Sequence, residues 1–197
     1  MKLHLLTVAT DPYPDNTAKL VSSLQEYEPD CPYLIIDNAC APAYTDPHAS
    51  RLDKRVSFAR ALNLAADMIR TGWMVMLSND TLATDPFIDF VNTLDPKAIY
   101  GKDMNKGYGN RTWLDGWIYV MTKKTFDKVG GFDEHFKAAG FEDADFCWRA
   151  QAAGVEVELE PRLPFIHTRK HTRYGEPGFF EKRKDNILYL ERKYGLK

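Results

Sequence analysis

Five short apolar runs of strand length alternate with segments whose apolar residues recur at helical spacing, and this alternation constrains the fold more than any other feature. The runs are "LHLLTVA" (3–9), "YLIID" (33–37), "WMVMLS" (73–78), "WIYVM" (117–121) and "VEVELE" (155–160), each rich in strand-forming residues. Between them, Leu20, Val21 and Leu24 share a face of "NTAKLVSSLQEY", and "RVSFARALNLAADMIRTG" sets Phe58, Ala61, Leu62, Ala65, Met68 and Ile69 at helical spacing ahead of Gly72. "DPFIDFVNTL" offers Asp85 as a helix cap and Pro86 at the first helical position, over Phe87, Phe90, Val91 and Leu94. The last helix, "FFEKRKDNILYLERKYG", stops at Gly195. Alternation of this kind implies an α/β fold, a three-layer α/β/α sandwich that gathers ligands at the carboxyl ends of its strands. Two stretches read as loops: 38–54, and 101–115, "GKDMNKGYGNRTWLD", the second either a lid or a plain surface loop.

The glycines exclude whole classes of chemistry. All twelve lie at or after position 72, so the first strand–turn–helix holds neither GxGxxG nor a Walker loop. A dinucleotide dehydrogenase or P-loop NTPase needs glycine there for the backbone to approach a pyrophosphate. A phosphate bound by this chain needs another counter-charge, for which a metal is the natural candidate. The net charge of −2 gives no overall pull toward nucleic acid or membrane, but residues 162–197 carry ten Lys/Arg against four Asp/Glu, a +6 tail on a −8 body. That tail reads either as a solvated helix or as an anion-binding surface. Three cysteines, Cys31, Cys40 and Cys147, without CxxC spacing argue against a disulfide framework or a structural zinc site. The opening apolar run is too short to span a membrane and meets Asp11 before any cleavage-like site. Together these features predict a cytoplasmic protein without a membrane anchor.

Three strand candidates run into polar groups that suit a nucleotide: Thr10 and Asp11, Asp37 and Asn38, and Ser78, Asn79 and Asp80. Singly each reads as a turn or cap; their shared location is what points to a ligand. Asp80 follows an apolar run, where a carboxylate needs a partner, either a turn before Asp85 or a cation such as Mg²⁺ or Mn²⁺. His167 ends "LPFIHT", with His171 four residues on, and is either structural or a further metal ligand. In "GFEDADFCWRAQAAG" (140–154), Glu142, Asp143 and Asp145 suit a helix start, and Asp145 is spaced to pair with Arg149. Trp113, Asp115 and Trp117 could wall an acceptor site, core packing being the alternative for Trp117.

Taken in order, "LIIDNA", "SFARALNLAA", "MLSNDT" and "VGGFDEHF" followed by "EDADFCWRAQAAG" resemble the motifs of the GT-A glycosyltransferases, above all the family-2 type, and the last is also similar to that of the β-galactosyltransferases. The resemblance covers most of the chain. It implies the GT-A fold with a mostly parallel mixed sheet, and a sugar moved from a nucleotide-diphosphate donor, by default a UDP-sugar, to an acceptor hydroxyl with Mn²⁺ or Mg²⁺. On this reading 1–197 is one domain: 1–100 binds nucleotide-sugar and metal, 101–178 binds acceptor and catalyses, and 179–197 is a basic C-terminal helix. Asp37 then contacts the nucleoside, Asn63 and Arg60 belong to the donor helix, and Asp80 and His167 hold the metal. Asp143 is the general base of an inverting transfer, and Glu142 orients the acceptor. Two departures stand out: Ser78 replaces the first acid of a DxD, and Leu62 stands where many members carry Arg, leaving Arg60 as the substitute. A retaining transferase is one alternative, and a non-catalytic sugar- or nucleotide-binding domain, motivated by the incomplete DxD, is another. The acceptor (glycan, lipid-linked or nucleic acid) and the oligomeric state stay open.

Overall fold

A computed structural model describes residues 2–10, 14–108, 110–137, 140–168 and 178–196. Asp11 and His171, expected near a ligand, lie outside the described residues. The first half comprises β1 (Leu3–Ala9), α1 (Pro14–Tyr27), β2 (Tyr33–Asp37), β3 (Ala49–Arg51), α2 (Phe58–Asp67), β4 (Trp73–Leu77), β5 (Thr81–Ala83) and α3 (Ile88–Asn92). There follow β6 (Ile99–Gly101), β7 (Met104–Gly107), β8 (Arg111–Leu114), β9 (Ile118–Thr122), α4 (Lys123–Val129), α5 (Glu142–Ala152), β10 (Val157–Leu159), β11 (Phe165–His167) and α6 (Phe179–Tyr194).

Among the described residues the central sheet has seven strands in the order β10-β6-β9-β4-β1-β2-β3, and four of its six pairings are parallel. Its middle strand shows why the fold is layered. All five residues of β4 are buried. Trp73, Val75 and Leu77 join one apolar cluster with Leu20, Leu24 and Phe87, while Met74 and Met76 join another with Leu62, Ala65 and Phe146. Successive side chains of a strand point to opposite faces, so a continuous apolar run demands cover on both. Helix α2 supplies part of that cover: Ser57 accepts a hydrogen bond from the Arg60 N–H as N-cap, and Ala59, Ala61, Leu62, Ala65 and Ala66 are buried.

The pairings also gather the polar strand ends on one edge. Ala9 lies beside Asp37, and Thr7 beside Leu77, so the residues that follow β1, β2 and β4 emerge together. Strand β9 is antiparallel to β4, with Leu77 opposite Ile118, which brings Asp115–Trp117 to that same edge, and the Ser78 N–H donates to the Trp117 carbonyl at 2.8 Å. Antiparallel pairing of β11 with β5 sets His167 opposite Thr81, next to Asp80.

The structure corrects the sequence reading in four places. Segment 101–115 is no loop: it holds the β7–β8 hairpin, and Trp113 and Leu114 are buried. Segment 38–54 contains β3, parallel to β2. Helix α2 ends at Asp67, so Met68 is 53% exposed and is no part of its buried face. Helix α3 begins two residues after Pro86; its start is held by Glu28, whose Oε1 accepts from the Phe87 and Ile88 N–H groups at 2.9 and 3.0 Å, and Asp85 is exposed. A carboxylate from the end of α1 thus meets orphan helix donors that a local cap was expected to satisfy. Among the described residues no helix is long and apolar enough to cross a membrane.

Candidate functional site

A cleft of about 710 Å³ opens at the shared edge of the strands. Of the residues singled out from sequence, Thr10, Asn38, Arg60, Asn79, Asp80, Asp115, Trp117, Glu142, Asp143 and His167 line it; Asp37, Asn63 and Trp113 do not.

Asp80 and His167 form a largely buried polar pair in its lining. Asp80 Oδ1 lies 3.0 Å from His167 Nε2 and accepts from Ser78 Oγ at 2.5 Å, and the two side chains are only 7% and 12% exposed. The Asp80 carbonyl accepts from both the backbone N–H and the hydroxyl of Thr168, which ties β11 down beside the β4–β5 turn. The His167 ring stacks on Trp117, centroids 5.2 Å apart and planes within 9°, and Trp117 Nε1 donates to Asp103 Oδ2 at 2.9 Å. Burial pushes the Asp80 carboxyl up, but its hydrogen bonds to His167 and Ser78 outweigh burial and hold its pKa below the ordinary value. Carboxylate and hydroxyl of the β4–β5 turn and the imidazole at the end of β11 make a donor set that fits a divalent cation. Among the described residues no third His, Cys, Asp or Glu completes a cage, so such a cation would draw its remaining ligands from an anionic substrate and water.

The residues around the nucleotide-side strand ends divide between lining and support. Asp37 is fully buried beneath the cleft: its carboxylate accepts from the Cys40 and Tyr44 N–H groups at 2.8 and 3.2 Å and from Arg51 Nη1 at 2.5 Å. Burial raises its pKa and these bonds more than reverse the rise. Asn38 exchanges two hydrogen bonds with Val56, at 2.9 and 3.0 Å, and so holds the segment before α2 against the cleft. Asn79 Nδ2 is 3.5 Å from Thr17 Oγ1 of α1.

Asn63 is spent on the chain that precedes α5. It accepts from the Phe132 N–H at 2.8 Å and donates to the Phe132 carbonyl and to Glu134 Oε1. Gly131 has φ +72°, and a Cβ there would meet Asn63 Oδ1 at 2.9 Å, so glycine is what lets this latch close. Arg60 Nη1 reaches the other oxygen of Glu134 at 2.7 Å, across the cleft lining.

Three carboxylates at the start of α5 take three directions. The helix follows Phe141, whose φ of 74° is left-handed and which makes no side-chain cap. Glu142 is buried and accepts from the Gly140 N–H at 2.5 Å. Asp143 is half-buried in the cleft; its Oδ1 accepts from the Ala144 N–H, and its Cβ would sit 3.1 Å from any Cβ at Gly116. Asp145 is fully buried on the far side, held by Arg149 Nε at 2.8 Å, the Tyr194 hydroxyl at 2.8 Å and Lys193 Nζ at 2.6 Å. Trp113 packs edge-on against Trp148 at 5.9 Å. Glu134, Asp103, Lys137 and Lys182 carried no assignment from sequence, although Glu134 stands inside the quoted "GGFDEHF".

The comparisons with known proteins agree with this geometry. Residues 104–173 match the family model described as the N-terminal domain of galactosyltransferase. Sequence comparison with curated proteins gives no match. Among solved structures, GalNAc-T7 with UDP, GalNAc and Mn²⁺ superposes with TM-score 0.77 at 11% identity, over 97% of this chain and 48% of that one; the chain therefore spans about half its length. The catalytic domain of Drosophila β1,4-galactosyltransferase 7 with xylobiose gives 0.56 at 17% identity, over 88% and 72%. The mannosyltransferase PcManGT of Pyrobaculum calidifontis with GDP-Man and Mn²⁺ gives 0.63 at 14%, over 96% and 70%. With its mostly parallel sheet and a cleft at the strand ends, the chain has the GT-A glycosyltransferase fold.

Proposed function

We propose that this protein is a divalent-metal-dependent glycosyltransferase that moves a sugar from a nucleotide-diphosphate donor, a UDP-sugar, to an acceptor hydroxyl with inversion, Asp143 acting as general base. One observation carries the reading: consecutive residues link the two chemistries, because Gly116 packs under Asp143 while Trp117 stacks on His167, which in turn touches Asp80. The superposed structures hold UDP with Mn²⁺ in one case and GDP-Man with Mn²⁺ in another, and these ligands suit the Asp80–His167 pair. A divalent cation held by Asp80 and His167 would supply positive charge to the diphosphate as it leaves. Thr10, Asn38, Asn79 and Arg60 hold the nucleotide end, and Asp115 and Trp117 border the acceptor. Asp37 and Asn63 serve the donor side from beneath, by fixing the loops that touch it. Asp143 takes the proton of the acceptor hydroxyl, whose oxygen bonds to the anomeric carbon as the bond to the diphosphate breaks. That bond's electron pair departs with the nucleoside diphosphate. Glu142 keeps the Gly140 turn in place beside the base.

The test is turnover of UDP-sugars with Mn²⁺ and then with chelator, followed by NMR of the product's anomeric configuration. Metal-dependent transfer with an inverted linkage is expected. A retained linkage would remove Asp143 from the role of base, and tight UDP binding without turnover on any acceptor would make the chain a binding domain.

A further inference from the structure

Beyond Lys54 and Arg55, which line the cleft just ahead of α2, two cations of the cleft have no part in that chemistry. Lys137 and Lys182 both line it, alongside Gly140, Glu142 and Asp143. Both are exposed, and neither forms an ion pair with a carboxylate among the described residues; Lys137 Nζ touches only the Glu134 carbonyl, at 3.1 Å. Asn186 of α6 accepts from the Lys137 N–H at 3.1 Å and donates to the Gly140 carbonyl at 3.0 Å, fastening the middle of α6 to the segment that leads into α5. Arg183 covers Gly140 so closely that a Cβ there would meet Nη1 at 2.5 Å, and its guanidinium lies 4.8 Å over the Phe141 ring. The basic tail noted in the sequence thus reaches the cleft through its first helical turn, on the side of the base.

The donor does not require these lysines. A nucleotide-sugar diphosphate carries two negative charges, which a divalent cation at Asp80 and His167 would offset, with Lys54 ahead of α2 as a further cation in the lining. The acidic side chains nearby are also engaged: Glu134 by Arg60 and Asn63, and Glu142 by the Gly140 N–H. Two ammonium groups in the same cleft as Asp143, neither in an ion pair among the described residues, would repel nothing in a neutral acceptor and gain nothing from it. They match an acceptor that itself carries an anion. We propose that the acceptor is a sugar or polyol bearing a phosphate or carboxylate group, which Lys137 and Lys182 bind while its hydroxyl faces Asp143. This rests on the reading of Asp143 as the base. The anionic group is not consumed; it places the hydroxyl and discriminates against neutral sugars.

The experiment is ligand-observed NMR with glucose, glucose 6-phosphate and glucuronate, on protein saturated with UDP and Mg²⁺ so that the donor site cannot take the anion. The change in melting temperature on adding UDP and Mg²⁺, read first, scores the donor reading separately. At least one anionic sugar should bind about tenfold more tightly than glucose, the worth of one charge-assisted hydrogen bond. The preference should vanish in Lys137→Gln/Lys182→Gln and persist in Lys184→Gln, an exposed lysine of α6 outside the cleft. Phosphate or carboxylate is then told by which anionic sugar binds better. Equal binding of all three sugars, no binding by either anionic one, or a preference kept in the double variant would overturn the proposal.

Discussion

Strand β2 ends in Asp37 and β4 runs into Asp80, both carboxylates almost fully buried behind an apolar strand, yet their partners differ in kind. Asp37 is held by two backbone N–H groups and Arg51, all within fifteen residues of it, and no edge of it meets the cleft. Asp80 is held by an imidazole and a hydroxyl and lines the cleft. A carboxylate bonded to backbone donors cannot change partners without unfolding its turn. One bonded to His and Ser side chains can exchange a shared proton for a cation, since metal ligation and protonation compete for the same lone pairs. The same division recurs at α5, where Asp145 is surrounded by Arg149, Lys193 and Tyr194 while Asp143 faces the cleft. At α5 a carboxylate locked into the fold and one facing the cleft sit two residues apart, and substitution should separate the two kinds.

The largest effect is expected at Asp143. Asp143→Asn keeps an acceptor for the Ala144 N–H but removes the proposed base, so turnover should fall about 10²- to 10⁴-fold with the melting temperature and the affinity for UDP nearly unchanged. A loss of stability matching the loss of rate would move Asp143 into the class of Asp37.

Next comes the metal-linked stabilisation. UDP with Mn²⁺ at a hundred times its dissociation constant should add about 2.7 kcal/mol to the unsubstituted protein, and most of that increment should disappear in Asp80→Ala. Thermal denaturation with and without Mn²⁺ measures it, and an increment unchanged in the variant would end the role given to Asp80. Asp37→Ala should do the reverse. Stripping two buried N–H groups and Arg51 of their acceptor costs about 1–3 kcal/mol in the absence of ligand, while the stabilisation by UDP and Mn²⁺ persists in whatever protein remains folded.

Sequence alone could not sort these pairs. "YLIIDNA" and "VMLSNDT" read alike because both are apolar strands ending in short polar groups, and their difference lies in what folds back on them: Cys40, Tyr44 and Arg51 in one case, His167 from 87 residues away in the other. What local periodicity determines came through well, as with β1, β2 and β4 and the Gly195 end of α6. What depends on distant partners did not. Glu28 capping α3 lies 59 residues from Phe87, and Asn63 latches Phe132 across 69. The β7–β8 hairpin was hidden by a glycine-rich composition, in which only Trp113 and Leu114 of β8 are buried. Of the candidate site, many lining residues were legible as types, through their position after strands or in the "GGFDEHF" and "EDADF" motifs, whereas Lys137, Lys182 and the division into lining and supporting roles were not.

The smallest effect tests the supporting class by pH. Asp133 accepts from the Tyr189 hydroxyl at 2.8 Å and from Lys193 Nζ at 2.6 Å, fastening α6 to the segment ahead of α5. Burial raises its carboxyl, but the Lys193 bond, the His135 N–H and Tyr189 together drive the pKa well below the ordinary 3.8. A carboxyl depressed on folding contributes stability that is whole above its unfolded value and is lost as the pH falls from there toward the folded value. The contribution of Asp133 should therefore be intact at neutral pH and fade only below about pH 4, as the unfolded chain begins to take up the proton first. In Asp133→Asn the melting temperature should be lower at pH 7 and fall less steeply between pH 5 and pH 3 than in the unsubstituted protein. Parallel acid slopes for the unsubstituted protein and Asp133→Asn would mean that the tie between α6 and the segment ahead of α5 does not depend on this charge.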